Sequence, residues 1–137
     1  MYIFKTSGKT IDSVIRNQKH AFKAKPKEWD TGELVLISKN KRDCSYGEKQ
    51  IQYIAKINNI RPMLPGECEK LWPGNTGRWK YLVELTDTKQ IAKSFDLQDI
   101  LVEDEYYKRY NGVMCYKRLP LKDERLVEAY LNKVGSF

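Results

Sequence analysis

A chain of 137 residues with 41% hydrophobic content suffices for one core, and a single domain over residues 1–137 is the length-based expectation. No stretch approaches the roughly 18 apolar residues of a membrane span, and the opening MYIFKTSGKTIDSV lacks an apolar signal core, so a cytoplasmic protein is expected. Lysine and arginine total 25 against 18 acidic residues, a net charge of +7 that favours a polyanionic partner, nucleic acid ahead of membrane.

Tyr2 to Thr6 reads as a first strand of aromatic and β-branched residues, punctuated by Ser7-Gly8. Ile11, Val14 and Ile15 then follow at helical spacing, which predicts a short helix capped by Thr10 or Ser7. A polar, basic connection comes next and carries Phe22 and Trp29. The flanks of Phe22 (Lys19, His20, Lys23, Lys25) are polar, so no apolar period demands its burial; sealing the end of the first helix is the competing role.

ELVLIS (Glu33 to Ser38) is a near-continuous apolar run suited to a buried central strand. The polar loop after it carries Lys39, Lys41, Arg42 and Lys49, which could grip phosphates or simply be solvated. QIQYIAKINNI (Gln50 to Ile60) alternates as a long strand, antiparallel to ELVLIS, and Arg61-Pro62 ends it.

Pro65 opens a one- or two-turn helix with Glu67 and Glu69 in its first turn. Trp72 follows it, then a Pro-Gly-Asn-Thr-Gly turn, then an alternating strand from Arg78 to Leu85 that carries Trp79. A rigid aromatic on a loop, beside a strand with basic residues, suits stacking of a planar ring. The alternative buries both tryptophans, as the average burial of Trp favours.

Further on, a short strand is expected near Gln90 to Lys93, then a polar Asp-Leu-Gln-Asp turn and the apolar Ile100-Leu101-Val102, and a last strand over Val113 to Tyr116. An aromatic and basic run (Tyr106 to Tyr110) separates the last two, and a final helix starts after Leu119-Pro120. About six strands with hairpin-length connections and flanking helices give an α+β class and a small, strongly curved mixed sheet or barrel.

The chemistry-bearing inventory is thin. His20 is the single histidine, and no GxSxG, HExxH, P-loop or dinucleotide motif is present. The carboxylate pairs Asp99/Glu103, Asp104/Glu105 and Asp123/Glu124 fall on expected solvated turns or helix faces. Cys44, Cys68 and Cys115 are widely spaced without a CxxC pair, so free thiols are expected, with Cys115 in the core and no zinc or other cofactor. These residues describe a binding protein and no enzyme.

Four blocks resemble the PUA-like superfamily, specifically its EVE and YTH branch, which also supplies the N-terminal reader domains of McrB-type restriction subunits. IDSVIRNQKHAFKA is similar to the family's first helix and following aromatic position, here Phe22 where Trp is usual. WDTGELVLISKN resembles its G-D-x-h-h-h-Y strand (h, hydrophobic), KLWPGNTGRWKYLVEL its Trp, short loop and Arg-Trp strand, and LPLKDERLVEAYL its closing helix. The resemblance implies a PUA-like, strongly twisted, barrel-like sheet with helices around it. It also implies a reader of DNA or RNA that holds a flipped, modified base in an aromatic cage, with a nuclease or motor subunit as a further partner. By position, Phe22 and Trp72 would be cage walls, with Trp29 as a rival for the Phe22 role. Trp79 would sit beside them as an anchor on the strand, and Lys23, Lys25, Arg42, Arg78 and Lys80 would follow the phosphates. A generic RNA-binding or protein-interaction module of the same fold is the alternative.

Overall fold

The structure, a computed structural model, describes residues 1–26 and 29–136. In chain order the elements are β1 (Tyr2–Thr6), α1 (Ile11–Asn17), β2 (Lys19–Phe22), β3 (Leu34–Lys39), β4 (Ile51–Pro62), α2 (Glu67–Leu71), β5 (Tyr81–Phe95), α3 (Glu103–Tyr110), β6 (Tyr116–Arg118) and α4 (Leu121–Lys133). The six strands form one sheet in the order β2-β5-β4-β3-β1-β6. β1 and β3 run parallel, and the other neighbouring pairs are antiparallel. The expected α+β class with a curled six-strand mixed sheet is what the chain forms.

The sheet is buried on both faces, which explains its continuous apolar runs. Tyr2, Phe4, Val35 and Ile37 point to one face, where Ile11 and Val14 of α1 and the Trp72 ring cover them. Ile3 and Leu36 point the other way, against Tyr110 of α3 and Val127 and Leu131 of α4. The sheet also curls on itself. Phe22 on one edge strand lies with its ring centroid 5.0 Å from Phe4 and 5.2 Å from Tyr116 on the opposite edge. Three register shifts between β4 and β5 supply the bending that a flat ladder would resist. Among the described residues, no helix is long and apolar enough to cross a membrane.

Four local expectations need correction. His20 to Phe22 is an edge strand on β5: Gln18 adopts a left-handed conformation after α1 and turns the chain directly into it. Residues 81 to 95 are one continuous strand, because β4 supplies a partner along its length. Glu103–Tyr110 is a helix whose acidic first turn and basic last turn complement its dipole. The last strand begins at Tyr116, which leaves Cys115 exposed.

His20 is buried against Phe4 and Phe22, with Nε2 3.0 Å from the Thr6 hydroxyl. Burial pushes its pKa down from 6.5 to about 4. The unfolded chain therefore takes up a proton that the folded chain refuses. The resulting stability is complete above pH 6.5 and is lost as pH falls towards 4, by about 3 kcal/mol. Urea unfolding of the wild type and His20→Gln at pH 7 and pH 4 checks this; the wild type should lose about 3 kcal/mol more than the variant.

Candidate functional site

The two tryptophans are placed by how α2 is tied down. The Arg61 guanidinium donates to both Glu67 carboxylate oxygens at 2.7 and 2.6 Å. That pairing holds the Glu67 carboxyl at about 2, well below the usual carboxylate range. The Ser13 hydroxyl of α1 donates to the Leu71 carbonyl at 2.7 Å. So fixed, α2 ends with Trp72 at its C-cap, aimed into the core and only 3% exposed. Trp79 follows the loop and is half-buried, standing edge-on to Trp72 at 5.4 Å with the Arg78 guanidinium 4.7 Å from its ring centroid. Phe22 is 4% exposed, enclosed by Phe4, His20 and Tyr116. Phe22 and Trp72 therefore do not face an open cage. They pack within one core, against which the half-buried Trp29 and Trp79 also lie.

Trp79 forms one wall of a groove of about 320 Å³, with Met63, Leu64, Pro65 and Cys68 opposite and Lys80 at its edge. The Lys80 amide donates to the Phe22 carbonyl at 3.1 Å, which brings the exposed Lys23 and Lys25 alongside exposed Arg78 and Lys80. Among the described residues, none of these four cations makes an ion pair; Arg78 donates to the Asn75 side-chain oxygen at 3.0 Å. Glu69, the carboxylate in the groove, is committed to the Gly74 amide and the Thr76 hydroxyl. Those bonds hold its pKa down.

Arg42 does not join this cluster. It lies on the turn after β3, at the end of the sheet where Ser38 pairs Ile51 and Ile51 pairs Phe95. Lys80 adjoins the other end, where Tyr81 pairs Pro62. Near Arg42 the Gly8 amide donates to Asp43 at 2.9 Å, and a Cβ on Gly8 would come within 2.8 Å of the Asp43 Cβ and 3.3 Å of the Lys39 side chain. This close approach gathers Lys9, Lys41 and Arg42, all exposed.

Beside them opens a larger, polar cleft of about 510 Å³. Asp12 in the first turn of α1, Lys39 of β3, Gln52 and Tyr53 of β4, and Gln90 and Ser94 of β5 line it. Lys39 pairs with Glu48 at 3.0 Å, and Gln52 donates to the other Glu48 oxygen at 3.1 Å and to the Lys49 carbonyl at 2.9 Å. The Ser45 amide and Lys39 together hold Glu48 ionised. Among the described residues, Gln90 and Ser94 have no side-chain hydrogen-bond partner, so amide and hydroxyl groups remain for a ligand. No local motif announces this cleft. It depends on the β4–β5 register, in which Gln90 pairs Tyr53.

By sequence, no family model and no curated protein matches the chain. By structure it is similar to crystal structures of the ASCH protein of Zymomonas mobilis. A serine-to-alanine variant aligns over 94% of this chain and 94% of its own, with TM-score 0.67 and 9% identity. A tyrosine-to-phenylalanine variant aligns over 93% and 96%, with TM-score 0.62 and 8% identity. The protein without either substitution aligns over 93% of both chains, with TM-score 0.59 and 7% identity. Identities this low speak for the fold alone. ASCH domains belong to the PUA-like superfamily, and the chain has their curled sheet and flanking helices: its fold is PUA-like.

Proposed function

We propose that this domain binds single-stranded nucleic acid and takes an unstacked base into the polar cleft. The observation that carries the reading is the cleft itself: about 510 Å³, with the Gln90 amide, the Ser94 hydroxyl and Tyr53 converging on it. That volume lies within the range of small-ligand pockets. A glutamine amide offers a donor and an acceptor side by side, the pattern a base edge presents. Lys9, two residues before Ile11, and Lys41 and Arg42, just after Lys39, adjoin cleft-lining positions in the chain and would serve as phosphate contacts, and the net charge of +7 favours the same partner. The PUA-like fold supports the reading by analogy.

The finer reading, recognition of a modified base, rests on a weaker basis. Tyr53 is the one ring among the cleft residues, so an extruded base stacks on one side instead of being caged. A methyl group against that wall contributes about 0.8 kcal/mol. Any larger preference has to come from Gln52 exchanging partners, and Gln90 gaining one, at the base edge. The proposed role is recognition, without a catalytic step.

A salt series tests the electrostatic half. With three phosphate contacts, affinity for a labelled single strand should fall roughly 20-fold between 50 and 200 mM salt. Gln90→Ala should weaken binding by about 1–3 kcal/mol while leaving that slope unchanged. Affinity that is flat in salt, or indifferent to Gln90, would remove the proposal.

A further inference from the structure

We infer that the groove beside Trp79 is a second nucleotide subsite, occupied by the same single strand that enters the polar cleft. This rests on the nucleic-acid reading above and adds a site to it. The residues around both openings pack on one core and so lie on one side of the sheet: Ile11 and Tyr53 at the cleft, Met63 and Trp79 at the groove. α1 and α2, which border them, are joined by the Ser13 hydroxyl bond to Leu71. From Tyr53, opposite Gln90, to Pro62, opposite Tyr81, the strand takes nine residue steps, at most about 30 Å.

The groove has the two properties that an unpaired nucleotide requires. Its wall is a half-buried indole held rigid by Trp72 beneath it, with the Arg78 guanidinium lying on the ring. A base can stack on such a ring or on the guanidinium plane itself. Lys80, Arg78, Lys23 and Lys25 make no ion pair among the described residues, so they outnumber the one carboxylate of the groove, Glu69, which is held by Gly74 and Thr76. Charge complementarity therefore selects a polyanionic strand over an apolar helix or a second copy of this basic chain. Met63, Pro65 and Cys68 supply apolar contact for the outer face of the base.

Two sites on one strand raise affinity through effective concentration once the strand spans both. The test is an NMR-detected titration with a dinucleotide and a fluorescence titration with a strand of about 12 nucleotides, within the range that one such fold covers. Both use the wild type, Trp79→Ala, and the exposed pair Arg78→Glu with Lys80→Glu. Trp79→Ala should weaken the long strand about 5- to 150-fold and leave the dinucleotide unchanged. The charge reversal, which touches no core residue, should weaken only the long strand. Equal long-strand affinity in the wild type and both variants would overturn the subsite, even with dinucleotide binding at the cleft intact. If the long strand binds through Trp79 while the dinucleotide fails to bind, the groove stands and the cleft reading falls. Equal losses for both ligands in the charge-reversed protein would also overturn the two-site arrangement.

Discussion

Trp72→Ala should cost about 3–5 kcal/mol of stability and lower the melting temperature by roughly 10–20 °C. The ring is 3% exposed, caps α2 and supports Trp79 edge-on, so its removal leaves a cavity that tethered neighbours cannot close. Phe22→Ala should behave similarly, since Phe22 is enclosed by rings from β1, β2 and β6. A thermal melt of each variant checks this directly. A Trp72 variant as stable as the wild type, with only nucleic-acid affinity lost, would return Trp72 to the role of an exposed binding wall.

A second large effect is expected at Asp123. This carboxylate is fully buried and accepts two bonds from Arg109, both at 2.7 Å, and one from the Tyr110 hydroxyl at 2.7 Å. Glu105 reinforces Arg109 from one helical turn away. Asp123 pairing keeps the guanidinium firmly charged, and burial followed by the carboxylate raises the Tyr110 pKa. Asp123→Ala leaves Arg109 with Glu105 alone and the Tyr110 hydroxyl without its partner, at a cost of about 3 kcal/mol, the low end for a broken buried pair. Asp123→Asn keeps the shape and one acceptor, so its cost should be smaller. Urea unfolding of both variants decides the matter; an alanine variant within 1 kcal/mol of wild type, the level of a surface pair, would mean that the network contributes nothing to folding.

The same residue marks where sequence reading stops. Asp123 precedes Glu124 on a helix face that looked solvated, and only the packing of α3 on α4 buries it. The strands β1, β3 and β4 were legible because their apolar runs and alternation come from burial, which pattern alone records. β2 was not: four residues, Lys19 to Phe22, carry too short a period, and their strand character depends on β5. The two tryptophans were recognised as a unit, but it is Trp72 that is buried and Trp79 that is half-open. Trp79 alternates with Tyr81 and Val83, which suggests burial, yet it precedes the paired strand and stays half-open. Trp72 has no periodic context, and its inward direction comes from Arg61 and Ser13, distant in sequence. Of the five cations expected on phosphates, Arg42 lies at the opposite end of the sheet from Lys80, whose amide bonds to the Phe22 carbonyl just before Lys23. The polar cleft was invisible for a related reason: glutamines on solvent-facing strand positions are ordinary until register brings them together.

The most direct measurement follows the side-chain amide signals of Gln52 and Gln90 by NMR during titration with a short single strand, and again with a polyphosphate that carries no bases. The proposal predicts that the strand shifts both amides, with Tyr53 and Ser94 moving alongside, and that the polyphosphate perturbs only residues around Lys9, Lys41 and Arg42. Identical shifts from both ligands, or a strand that binds while the Gln52 and Gln90 amides stay still, would contradict base recognition in the cleft.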